Sequence, residues 1–335
     1  MHHIRILALA GLAALFTGCA QIEQTPPART YEGPTLVPAE GPIPGIPSDV
    51  EYADYWIRKI PDPDALIMTP EQIAQFNREN PLRNIFIFDI PSMADHSRGE
   101  RIRDYLASNA RFIIESKFLV TGDIPLETNE RHRIAALMDT SGVPDIIDIK
   151  FGIILERVSG KLWPTNIPLL NKPGDNEFDQ GMAATLDFGE PVALLHTSKD
   201  DLWCYVQSEN FGCWIPSSSA AFGDIETVKL LTDKTSPLVA VGSRVAVYGS
   251  PEDGPAIGYL NMGGWLPLRS AGSSYCEVIV PGRGEKNELT VRHGYIRRSS
   301  DISIGFLPYT LRNVYRQCFL LYGERYGWGG MYDNR

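Results

Sequence analysis

Residues 307–330, LPYTLRNVYRQCFLLYGERYGWGG, carry two signals a short helix apart. Thr310 is placed to cap a helix whose apolar side would hold Leu311, Val314, Tyr315, Cys318, Phe319 and Tyr322. The segment Gly323-Glu324-Arg325-Tyr326-Gly327-Trp328-Gly329-Gly330 then leaves that helix, and the paired glycines suit a tight backbone turn. An apolar helix face needs a second layer against it. The sequence in hand stops at Arg335, before such a layer can be built. Residues 304–335 therefore read as the opening of a domain, incomplete here, with Cys318 expected as an inert core thiol.

Upstream, the hydrophobic period is near two. Short strands are expected at 149–158, 191–197, 202–207 and 212–216, then at 225–231, 237–241, 243–248, 255–261 and 263–267. Such spacing suggests small all-β barrels. Gly264-Trp265-Leu266-Pro267 echoes Cys213-Trp214-Ile215-Pro216, so two similar barrels in tandem are expected, over 149–222 and over 223–303 with a linker. Cys204 and Cys213 fall in one hairpin and are either bridged or two buried free thiols.

Residues 51–148 change to a helical period. Thr69-Pro70-Glu71-Gln72 is a capping box with proline at the first helical position. The helix it starts is expected to bury Ile73, Phe76 and Leu82. Further helices at 100–115 and 127–139 would bury Ile102, Tyr105, Leu106, Ala110 and Ile113, then Ile134, Leu137 and Met138.

The N-terminus has the layout of an export signal. Arg5 precedes the apolar run ILALAGLAALF (6–16), and Thr17-Gly18-Cys19 follows. Residues 1–19 are thus expected to be a lipoprotein signal peptide, with Cys19 lipidated and the mature protein membrane-anchored. Ala20 in place of an aspartate favours the outer over the inner membrane, on the periplasmic side. Proline-rich residues 20–50 read as a tether. A net charge of -10 without a basic stripe argues against a nucleic-acid partner. No metal-ligand spacing, phosphate loop or cofactor motif is present.

The 307–330 stretch resembles the opening of the NlpC/P60 cysteine peptidases, which cleave peptidoglycan stem peptides: an LPYT phrase, a helix, then G-x-x-Y-x-W-G-G before an Asp-Cys-Ser. Tyr55-Trp56-Ile57, Pro61-Asp62-Pro63-Asp64 and Leu66 to Ile73 are similar to the clip-like stabilising domain of that family's multidomain branch. Trp163-Pro164-Thr165, Phe178-Asp179-Gln180 and Trp203 to Trp214 resemble its first bacterial SH3 domain.

The resemblance implies a mostly helical N-terminal module, two tandem SH3-like barrels and the first helix of a papain-like α+β domain. It implies a monomer that needs no cofactor, acting on the γ-D-glutamyl-diamino acid bond by acyl transfer to a thiolate. The nucleophile and base would lie beyond residue 335. Within the chain the resemblance assigns Tyr326 an accessory role at the oxyanion, and Gly329 and Gly330 a structural turn. It makes Trp163, Thr165 and Asp179 candidates for the substrate groove or for an interdomain contact, with plain structural packing as the other reading. The other reading is a non-catalytic, peptidoglycan-binding scaffold lipoprotein.

Overall fold

The computed structural model describes residues 48–83, 87–121, 123–251, 254–324 and 326–330. The expected signal peptide, Cys19 and most of the tether lie outside them. No described helix is long and apolar enough to cross a membrane.

The first part of the chain contributes four helices: α1 (Ala53–Ile57), α2 (Pro70–Arg83), α3 (Glu100–Glu115) and α4 (Thr128–Leu137). Four short strands accompany them: β1 (His96–Arg98), β2 (Leu119–Thr121), β3 (Ile124–Pro125) and β4 (Ile146–Asp148). β1 pairs with β4, and β2 with β3. The capping box forms as expected, with Gln72 N–H donating to Thr69 Oγ1 at 3.3 Å and Thr69 N–H to Gln72 Oε1 at 2.8 Å. The burial expected of α2 is corrected: Phe76 is 52% and Leu82 86% exposed. The amphipathic stripe is there, but no described layer covers it. Tyr105 is likewise exposed, whereas Leu106, Ile113, Ile134 and Met138 are buried.

Two seven-stranded antiparallel sheets follow. The first holds β5 (Lys150–Ile154), β6 (Val158–Lys161), β7 (Met182–Leu186), β8 (Pro191–Thr197), β9 (Trp203–Gln207), β10 (Gly212–Pro216) and β11 (Ala220–Gly223). The second holds β12 (Pro237–Ala240), β13 (Arg244–Tyr248), β14 (Ala256–Asn261), β15 (Trp265–Ala271), β16 (Tyr275–Arg283), β17 (Leu289–Arg297) and β18 (Ile302–Ile304). Their strand orders are β11-β5-β8-β9-β10-β6-β7 and β14-β13-β17-β16-β15-β12-β18. Read from opposite ends, the two orders are the same. The tandem repetition is therefore topological, but the tryptophan echo is not its signature. Trp214 lies on β10, whose counterpart is β17, while Trp265 lies on β15, the counterpart of β8.

Residues 225–231, expected as a strand, form helix α5 (Ile225–Leu231). Asp224 caps it by accepting the Thr227 N–H at 2.8 Å, and Val228 and Leu231 turn inward three residues apart. One hydrophobic core runs from Ile90, Leu106 and Ile134 through Trp163, Trp203 and Trp214 to Val228 and Leu231. The helical part and the first sheet thus bury their apolar surface together.

Helix α6 (Leu311–Phe319) is capped by Thr310, whose Oγ1 accepts the Asn313 N–H at 3.2 Å. The N-terminal segment reaches across to it. Asp64 takes the Arg312 guanidinium on both oxygens at 2.6 and 2.8 Å, and this bond holds the Asp64 carboxyl below its ordinary range. Ile67 N–H donates to the Tyr309 carbonyl at 2.8 Å.

Cys204 and Cys213 are free and buried. They sit on adjacent strands but are not opposite: Cys204 faces Ile215, and Cys213 faces Val206. Cys318 is exposed, a correction to its expected core position, because nothing among the described residues covers that side of α6. Burial pushes the Cys213 thiol up to about 12. A maleimide at neutral pH is accordingly expected to modify Cys318 in the folded protein, and Cys204, Cys213 and Cys276 only after denaturation. Peptide mass mapping reads this directly, and native labelling of Cys213 would contradict it.

Candidate functional site

Of the expected site residues, Tyr326, Gly329, Gly330 and Asp179 come together at one edge of the first sheet. After α6 the chain crosses to strand β7 and ends its described course in a 3-10 turn, Trp328–Gly330. Gly329 and Gly330 have φ of 63° and 76°. A Cβ on Gly329 would meet Met182 Cβ at 3.0 Å, and one on Gly330 would meet Thr185 Oγ1 at 2.7 Å. Glycine is required at both on two counts, left-handed backbone and close approach.

The turn is held by side chains of the first sheet. Thr185 Oγ1 lies 2.7 Å from the Gly329 carbonyl and 2.8 Å from that of Gly330. Arg157 adds an N–H to the Gly330 carbonyl at 3.3 Å and pairs with Asp187. Asp187 also accepts from Asn261 of the second sheet, at 2.6 Å. Phe178 packs between the two aromatic residues of the turn, its ring 6.1 Å from Tyr326 and 6.0 Å from Trp328. Tyr326 itself is 65% exposed, so its phenol is open to a ligand or a further layer.

Beside the turn lies a pocket of about 380 Å³, lined among others by Ser159, Lys161, Asn166, Asn176, Asp179 and Met182. Of these lining residues, Lys161 and Asp179 form a buried ion pair, Nζ to Oδ2 at 2.8 Å. Asp179 Oδ1 accepts the backbone N–H groups of Leu169 and Gly181 at 2.9 and 2.8 Å. Asp179 thus lines the pocket and fixes the loop that shapes it.

Trp163 and Thr165 are not brought to this opening. Trp163, 2% exposed, donates its Nε1–H to the Asn109 carbonyl at 2.9 Å and stacks on Phe112 at 5.9 Å. It fastens the first sheet to α3. Thr165, also buried, accepts the Ile167 N–H at 3.1 Å and shapes the local turn. Of the readings open to them, Trp163 takes the contact between the first sheet and α3 and Thr165 takes local packing, and neither lines the pocket. Thr185 and Arg157, which hold the turn, carry no local signature; they lie more than 140 residues from the glycines they contact, and Asp187 acts on the turn only through Arg157.

Close to this junction sits a carboxyl with an unusual titration. Burial first, and Asp187 second, push Glu190 up to about 7. Unfolded, the group titrates near 4.5. Between those values the folded protein keeps a proton the unfolded chain has lost, so stability falls as pH rises through this window and then levels off. Glu190→Gln is expected to remove that slope, raising the unfolding free energy at pH 8 by about 3 kcal/mol. Urea midpoints at pH 5 and pH 8 test it, and an equal effect at both would refute it.

Among known proteins, residues 168–216 match the family described as SH3 domain (SH3b1 type). No curated protein matches the sequence. A solved structure of a novel NlpC/P60 endopeptidase from Photobacterium damselae subsp. piscicida is similar in fold, with a TM-score of 0.68 at 19% identity. The likeness covers 83% of this chain and 62% of that one, so the chain spans less than two thirds of that protein's length.

Proposed function

We propose that this chain supplies the substrate-positioning part of a peptidoglycan stem-peptide endopeptidase that cuts the γ-D-glutamyl-diamino acid bond by a cysteine mechanism. The observation that carries the reading is the seating of Tyr326-Gly327-Trp328-Gly329-Gly330 on an SH3-type sheet, beside a polar pocket. A similar fold in an NlpC/P60 endopeptidase supports it. The thiolate and imidazole are proposed to lie in sequence beyond residue 335 of the full gene product. Among the described residues none of the cysteines suits the role: Cys204, Cys213 and Cys276 are buried and free. Exposed Cys318 lies on α6, before the turn.

In this reading the pocket receives the part of the stem peptide nearest the first sheet. Ser159, Asn166 and Asn176 would offer neutral hydrogen-bonding groups to its amides, while the Lys161–Asp179 pair keeps the wall rigid. Tyr326 would point its hydroxyl at the oxyanion that forms when the thiolate attacks the scissile carbonyl. The protein is proposed to work as a lipid-anchored monomer on the periplasmic side, with the tether giving reach to the wall.

The test is kinetic. In the full gene product, Tyr326→Phe should lower kcat on a soluble tetrapeptide about 100-fold with little change in KM, as expected for an oxyanion donor. An unchanged kcat would assign Tyr326 to packing.

A further inference from the structure

The loop between β7 and β8, residues 187–190, joins the first sheet, the second sheet and the Gly-Gly turn. It is tight: Glu190 N–H donates to the Asp187 carbonyl at 3.1 Å, and Gly189 takes a φ of 91° at the third position, as in a type II turn. The carboxyls of its first and last residues are thereby brought close enough to repel. Phe188, 5% exposed, belongs to the core of the second sheet, and a Cβ on Gly258 of β14 would meet its ring at 3.0 Å. The loop is pinned there and cannot swing outward to separate its two acids.

Among the described residues, Arg157 in the β5–β6 turn is the cation that faces this cluster. It pairs with Asp187 and gives an N–H to the Gly330 carbonyl at 3.3 Å. Glu190 is faced by Asp187, by Arg157, by Glu209 of the β9–β10 hairpin and by Cys213 of β10, a thiol that stays neutral because burial pushes it up to about 12. The bond to Gly330 is long and its acceptor is uncharged, so it is weaker than a bond to a carboxylate, which is roughly twice as strong. An ionised Glu190 sets such a carboxylate beside the same guanidinium, and a protonated one does not. Burial and Asp187 push Glu190 up to about 7, so the change falls near neutral pH.

We propose that Glu190 is a positioning residue for the Gly-Gly turn: protonated, it leaves Arg157 on the Gly330 carbonyl, and ionised, it draws the guanidinium away and loosens the turn. It acts through Arg157 and Asp187 and touches no substrate. The effect on catalysis rests on the endopeptidase reading above, whereas the change at the turn does not.

Nuclear magnetic resonance of the 335-residue chain tests this. Glycine labelled with 13C at the carbonyl, combined with 15N methionine, isolates two peptide bonds, Gly181-Met182 and Gly330-Met331. The Gly330 carbonyl shift should titrate with a midpoint at about 7. Glu190→Gln should abolish that titration and hold the shift at its acid-side value. Arg157→Lys, which keeps the charge but loses the fork that spans two acceptors, should also abolish it. Asp187→Asn should lower the midpoint, because the like charge is gone. A flat Gly330 shift in the parent chain, or a titration that survives Glu190→Gln or Arg157→Lys with its midpoint unchanged, would overturn the proposal. In the full gene product, the ratio of Glu190→Gln to parent kcat should rise as pH passes 7, and a constant ratio would overturn the positioning role. No cleavage by either protein, with the Gly330 titration intact, would remove the hydrolase reading and leave this one standing.

Discussion

Asp179→Ala is expected to destabilise the protein by roughly 3–5 kcal/mol, the range for removing one partner of a buried ion pair. Lys161 and Asp179 have side chains only 10% and 5% accessible, so the ammonium left behind can reach little water. The loss is compounded by two backbone donors, the N–H groups of Leu169 and Gly181, which lose their acceptor. Urea unfolding should show a lower midpoint with the slope retained. Lys161→Met together with Asp179→Leu should recover part of the loss, because no charge is then buried alone. A cost below about 1 kcal/mol for Asp179→Ala would mean that the pair is solvated and that Asp179 does not hold the pocket wall.

Trp163→Ala is expected to cost a further large amount, about 3–5 kcal/mol, as for other fully buried aromatic residues. The indole fills the join between α3 and the first sheet, stacked on Phe112 and edge-on to Phe118 at 5.8 Å. Its removal also leaves the Asn109 carbonyl without the indole donor. Since the core runs through this join, the variant should lose cooperativity as well as stability. Calorimetry is expected to show the helical part melting before the first sheet where the parent protein shows them melting together. Trp163→Phe should retain most of the packing. A single transition in the alanine variant, shifted by only a degree or two, would show that the two parts do not depend on each other.

Much of this fold is written in local sequence. Thr69 with Gln72, and Thr310 with Asn313, are caps that the residue order announces, and both form. The strands at 191–197, 203–207 and 212–216 fall where a period of two places them. Helix α5 was obscured because Ile225, Thr227 and Val228 favour strands, and the decisive feature is the single cap at Asp224. Phe76 and Leu82 show a different limit. A stripe of apolar residues says which side of a helix would be buried, but not whether a layer arrives to bury it.

The site divides along the same line. Gly329 and Gly330 suggest a turn by composition, and the turn exists. What holds it, Thr185 and Arg157, could not be found by pattern, because the contacts close over 144 to 173 residues. For Trp163 the family resemblance leaves a groove, an interdomain contact and plain packing all open, because an exposed tryptophan and a buried one look alike in sequence. Only the arrival of Phe112 and Phe118 decides between them.

The central claim is that these modules position stem peptides for a cysteine endopeptidase. It is tested most directly by incubating the tetrapeptide stem with the full gene product and with the 335-residue chain, and identifying products by mass spectrometry. The account predicts scission between D-glutamate and the diamino acid by the full product, and intact peptide with the 335-residue chain. An intact stem peptide in both reactions, with sacculus binding retained, would contradict it and favour a wall-binding scaffold.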